Sequence, residues 1–214
     1  MSQSAAGHAP LVARHDAPAP PPRSEVHFGA ASNGKIGMWV FLLTDGMGFA
    51  GLLLGYAILR AGSDVWPNPT ERLGIPFTAV MTFVLICSSV TMVMALAGAQ
   101  EKNRKALIGW LTATIVGGIF FLCGQVYEYT HLITGPHKMG ISLDQFAGTF
   151  YIVTGFHGCH VLSGVIYLTV MLIRSIQNKA DANLIEIAGL FWHFVDLVWI
   201  LVFTFIYLLP IPSP

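Results

Sequence analysis

The chain has 214 residues, 54% of them hydrophobic and only 10% charged, and a mean hydropathy of +0.65. A soluble domain carries about 25% charged residues, so a water-solvated globule is excluded. Eleven basic residues balance eleven acidic ones, which gives no electrostatic footprint for nucleic acid.

The first 35 residues are rich in Ala, Pro and polar side chains, and the Ala-Pro-Ala-Pro-Pro-Pro run at 17–22 cannot form a helix. This region reads as a disordered cytoplasmic tail whose histidines, His8, His15 and His27, are incidental. It lacks the basic start and 7–15-residue apolar core of a secretory signal.

Five apolar stretches follow, at 36–59, 76–99, 107–129, 145–173 and 184–209, each long enough to cross about 30 Å of hydrocarbon. Lipid cannot satisfy backbone hydrogen bonds, so the expectation is all-α: a polytopic bundle of five transmembrane helices. Trp66, Pro67 and Pro69 separate the first two spans, Pro76 suits the first turn of the second, and Pro210, Pro212 and Pro214 end the fifth in a short tail, 210–214. Lys and Arg alternate in number between the two sides. The tail, the second loop and the fourth loop hold eight (Arg14, Arg23, Lys35, Lys102, Arg104, Lys105, Arg174, Lys179), against three at Arg60, Arg72 and Lys138. The asymmetry places the N-terminus in the cytoplasm and the C-terminus outside. Trp66, Trp110 and Tyr207 near span ends suit the headgroup level. Cys87, Cys123 and Cys159 lie singly in apolar runs and are expected to be small packing residues.

An ionisable side chain in mid-membrane costs about 2.5–3.5 kcal/mol, so each needs a partner, a hydrated cavity or neutralisation. Asp45 lies mid-span in the first helix, Glu128 near the outer end of the third, His157 and His160 in the fourth, and Glu186, His193 and Asp196 in the fifth. At 100° per residue Glu186, Gly189, His193 and Asp196 fall within roughly 80° of arc. Thr154, His157, Val161 and Gly164 share a face of the fourth helix with His160 at its edge, and Thr44, Gly48, Gly51 and Gly55 line the first beside Asp45. Small residues admit close helix approach and polar ones bond across it. The structural reading is interhelical glue; the functional reading is a proton path or a lipid headgroup site.

The i, i+3 spacing of His157 and His160 can place two imidazoles together, with His193 a possible third, but a haem-copper centre or a pair of b-type haems needs more ligands than the spans supply. No metal is expected in this chain. GxSxG, HExxH and Gly-rich phosphate-loop motifs are missing, so no catalytic centre of its own is expected either.

Two strings are more specific. Thr154-Gly155-Phe156-His157-Gly158-Cys159-His160-Val161 resembles the TGFHGxHV signature of haem-copper oxidase subunit III, and Trp192-His193-Phe194-Val195-Asp196-Leu197-Val198-Trp199 resembles its WHFVDxVW signature. Gln125, Glu128 and Tyr129 are similar to the family's QxxEY, and Glu186 stands seven residues before His193 as in the family. The resemblance covers about 35–209. It departs in two places: Asp45 stands where the family usually has Glu, and the first two of the seven helices of many relatives are lacking, as in several bacterial versions.

The resemblance implies a subunit without a redox centre that packs against catalytic subunit I, with haem and copper in the partner subunits. It further implies phospholipid held in a cleft between helices, support of proton uptake, and a place in an assembly of the bacterial inner membrane that reduces oxygen to water while pumping protons. The same fold serves quinol oxidases and accessory subunits of nitric oxide reductases. A small proton-coupled transporter is the reading from a different class, and the inverted repeats and broken helices of transporters are not seen.

Overall fold

The computed structural model describes residues 32–64, 66–135, 139–140 and 143–209. The reading of residues 1–31, with their histidines, and of 210–214 lies outside them, as does Lys138. The element order is α1 (Asn33–Ala61), a short α2 (Pro69–Arg72), α3 (Ile75–Gln100), α4 (Arg104–Thr134), α5 (Gln145–Ile176) and α6 (Ala182–Val202), which runs on as a π-helical segment, Phe203–Leu208. Five of these helices are long and apolar enough to cross a membrane.

The spans match the expected five, but most run further at their ends. Apolarity marks only the part that needs lipid, whereas a helix ends where its free backbone groups find another partner. Ser32 Oγ accepts from the Lys35 N–H at 3.4 Å, so α1 starts at Asn33 and takes Lys35 into its first turn. Asn103 Oδ1 accepts from Ala106 N at 3.2 Å and starts α4 at Arg104; Asp144 Oδ1 accepts from Ala147 N at 2.7 Å and starts α5. Pro76 occupies the first turn of α3, where its missing N–H costs nothing.

A three-residue turn joins α3 and α4 into a close antiparallel hairpin, α5 packs on α4, and α6 lies against α3, α5 and α1. In the apolar window of α6, 56% of residues are buried, against 17% in α1, so α6 is the central helix and α1 the peripheral one. Trp192 of α6 explains part of that centrality. Its indole lies where a Cβ on Gly118 of α4 would come within 2.5 Å of it and one on Gly164 of α5 within 3.0 Å, a slot only glycine leaves open.

Three expectations are corrected. Leu42, Phe49 and Tyr56, seven residues apart, form the buried side of α1, while Thr44, Gly48 and Gly51 are exposed, and a Cβ at Gly48, Gly51 or Gly55 would meet nothing within 4 Å. The glycine face therefore points away from the chain's other helices, because the bulky side of α1 fills the groove of α5 and α6. All three cysteines are exposed rather than packed, since each sits on an outward face where a weakly polar thiol suits lipid. Tyr207 is not an interface anchor: it is 1% exposed, and its hydroxyl is spent inside the bundle.

Candidate functional site

The intramembrane polar residues fall into four groups, each spanning at least two helices. The first joins α1 to α5. Asp45 Oδ1 lies 3.1 Å from His160 Nε2, and His160 Nδ1 lies 2.8 Å from the Phe156 carbonyl. A carbonyl oxygen only accepts, so Nδ1 carries a hydrogen. The Nε2–Oδ1 bond then needs a second proton, held either as imidazolium with carboxylate or as imidazole with carboxylic acid. Both arrangements are neutral as a pair and place one proton in the bond between Asp45 Oδ1 and His160 Nε2. Asp45 Oδ2 is buried and has no hydrogen-bond partner among the described residues.

One turn away on α5, His157 faces elsewhere. It is 0% exposed, stacked on Trp199 at 4.8 Å and 28°, with the ring of Phe121 edge-on at 5.7 Å. Neither ring nitrogen has a partner among the described residues. The i, i+3 spacing therefore does not bring the two imidazoles to one ligand: a step of about 60° in arc turns His160 toward α1 and His157 into the core between α4 and α6. Phe49 of α1 touches both rings, at 6.3 and 5.0 Å.

The third group lies at the far end of the bundle. Glu128 of α4 accepts from Thr78 Oγ1 of α3 at 2.8 Å and from Tyr207 OH at 3.2 Å, so its two oxygens tie α4 to α3 and to the π-helical segment. Beside it Gln125 Nε2 donates to the Thr154 carbonyl at 2.7 Å, and Tyr129 OH meets Thr154 Oγ1 at 2.7 Å. Gly158 makes this contact possible, since a Cβ there would come within 2.5 Å of the Gln125 amide oxygen.

The fourth group divides the polar arc of α6 between two neighbours. Asp196 accepts from Ser89 Oγ of α3 at 2.7 Å, and Gly189, one face with it, packs on Met92 of α3. Glu186 instead pairs with Lys35 of α1 at 2.7 Å, while His193 lines a groove of about 330 Å³ with Trp39, Leu42 and Leu43 of α1. An 80° arc is wide enough to meet two helices because α6 sits between them.

All seven sequence candidates are thus placed, and of these seven only Asp45 and His160 are hydrogen-bonded to each other. Their other partners went unrecognised: Thr78 and Ser89 of α3, Tyr207 and Lys35, and so did the hydroxyls of α3 that hold two indoles of α6. Trp192 Nε1 donates to Ser88 Oγ at 3.1 Å and Trp199 Nε1 to Thr82 Oγ1 at 2.8 Å. The signal was present in the spacing of hydroxyls along an otherwise apolar α3, at 78, 82, 88 and 89. Among the described residues no three His, Cys, Asp or Glu side chains are placed to hold a metal ion.

The sequence matches the profile of cytochrome c oxidase subunit III over residues 26–210. It is 34% identical over 180 residues to cytochrome c oxidase subunit 3 of Alkalihalophilus pseudofirmus, covering 83% of this chain and 87% of that one. It is 36% identical over 194 residues to cytochrome c oxidase subunit 3 of Synechocystis sp., with 88% and 81% covered. The probable cytochrome c oxidase subunit 3 of Mycobacterium leprae is 40% identical over 177 residues, with 81% and 86% covered. The chain belongs to the cytochrome c oxidase subunit III family.

Proposed function

We propose that this multi-pass membrane subunit of a respiratory cytochrome c oxidase does no redox chemistry and serves the catalytic subunit I as a rigid, lipid-binding flank that sustains proton uptake. The observation that carries the reading is the use made of the intramembrane acids. Asp45, Glu128, Glu186 and Asp196 each bond to a side chain on another helix, so they hold the bundle together rather than surround a ligand. The Asp45–His160 pair, a carboxyl bonded to an imidazole inside the membrane, supports the proton-uptake part of the reading. The α1–α6 groove supports the lipid part: an acyl chain fits its apolar walls, and Lys35 stands at the headgroup end. The excess of Lys and Arg on the N-terminal side supports a cytoplasmic N-terminus in a bacterial inner membrane.

The test is to solubilise the tagged chain from its native membrane, identify what co-purifies, and record reduced-minus-oxidised spectra before and after stripping the partners. Haem- and copper-bearing subunits in the complex and a colourless stripped chain are expected, together with oxidation of cytochrome c by the complex. A chain that purifies alone, or that keeps a haem band of its own, overturns the reading.

A further inference from the structure

We infer that the pocket between the α3–α4 turn and the α5–α6 turn is a site for the phosphate headgroup of an anionic phospholipid, separate from the α1–α6 groove. The pocket has a volume of about 230 Å³, with Lys102, Arg104, Ser175 and Asn178 as polar lining, Leu107 and small residues as the rest, and no acidic side chain among the lining residues. Four observations make it more than a solvated basic end.

Arg104 is fixed in place. Its guanidinium donates to the carbonyls of Ser175 and Ile176 at the C-terminus of α5. A guanidinium has five N–H donors, so three remain after those bonds, and its charge is undiminished. Lys102 forms no ion pair among the described residues. It sits in the left-handed region at φ 57°, and Asn178 across the pocket sits there at φ 59°. Asn adopts that conformation readily, but Lys is a strained choice where Gly would turn the chain at no cost, and such strain is kept where a side chain is needed. The third observation is depth: the pocket lies where α3 and α5 end and α4 begins, at the headgroup level. Trp110, about 9 Å further along α4 and 40% exposed, is an interface residue by type and position. The fourth is the mixed lining, which suits a phosphate on its glycerol better than a fully hydrated ion. Basic pockets between membrane helices bind anionic headgroups in this way, at about a fivefold change in affinity per cation.

The experiment uses the whole oxidase complex in detergent, washed free of loosely held lipid and titrated with phosphatidylglycerol, with phosphatidylcholine as comparison, bound lipid being counted by native mass spectrometry. Lys102→Asn, which suits the left-handed backbone, is expected to weaken one phosphatidylglycerol site about fivefold. Arg104→Gln is expected to weaken it at least as much, and Lys179→Gln, an exposed lysine outside the pocket, to leave it unchanged. Because Arg104→Gln also unties α4 from α5, Lys102→Asn carries the decision. Equal loss in Lys179→Gln and Lys102→Asn, no loss in Lys102→Asn, or equal retention of phosphatidylcholine overturns the inference. So does displacement of the bound lipid by millimolar inorganic phosphate, which makes the occupant a free anion. None of these outcomes bears on the subunit composition of the complex, so the site fails or stands apart from the functional reading.

Discussion

Replacing Asp45 separates a proton-sharing pair from a simple hydrogen bond. Asp45 and His160 are 13% and 16% exposed at the side chain, and their 3.1 Å bond is a polar tie between α1 and α5. In Asp45→Asn the amide can donate to His160 Nε2 while Nδ1–H still bonds the Phe156 carbonyl, so the contact survives and only the extra proton is lost. The cost is expected to stay below about 1 kcal/mol. In Asp45→Leu the contact is gone, and His160 Nε2 is left half-buried as a neutral acceptor without its partner. A hydrogen bond involving a charged group is worth about 1.5–3 kcal/mol, and that range is the expected loss. Reversible unfolding of the detergent-solubilised chain in SDS, followed by near-UV circular dichroism, reads the difference, and retention of the oxidase subunits on purification reads assembly. Asp45→Asn should assemble with normal stability and Asp45→Leu should lose α1 packing first. Equal destabilisation by the two substitutions would falsify the donor assignment. A wild-type response in Asp45→Leu would show that the buried side of α1 and the Lys35–Glu186 pair suffice to hold it.

The other predictions use the same reasoning on different groups. His157→Leu removes two nitrogens without a partner among the described residues, a relief of about 1–3 kcal/mol, and loses ring stacking worth about 0.5–1.5 kcal/mol, so stability should be unchanged or slightly higher in the same unfolding assay; a loss above about 2 kcal/mol would mean the ring is hydrogen-bonded in the native state. Glu128→Gln can accept from one hydroxyl and donate to the other and should stay within about 1 kcal/mol of wild type, whereas Glu128→Leu strands the Tyr207 hydroxyl and should cost about 1–3 kcal/mol. The idea is refuted if Gln is as damaging as Leu. Gly118→Ala drives a methyl into the Trp192 indole and Val165 and should cost about 1–3 kcal/mol by overpacking, relieved in part by a second substitution, Trp192→Phe; additive losses in the double variant would mean that the two do not share the slot.

The membrane architecture was legible in the chain because it follows from local quantities. Five runs longer than about 20 apolar residues leave no other way to satisfy their backbones, and loop charges bias the direction of crossing. The need for partners at Asp45, Glu128, His157, His160, Glu186, His193 and Asp196 was equally visible, since desolvation penalises each whatever its neighbours are. Which partner each received was not. Asp196 is bonded to Ser89 and Glu186 to Lys35 because α6 is the central helix, and no single-helix projection says which neighbour faces which part of an arc. The same limit explains α1. Its glycines sit at helical spacing and read as a packing face, yet Leu42 and Phe49 pack toward α5 and α6, Tyr56 packs on Trp66, and the glycines are turned outward. Sequence fixes the period of a helix and what its residues require, whereas rotation about the helix axis is set by which side chains fit the neighbouring surface, and that is decided only when all five helices are packed together.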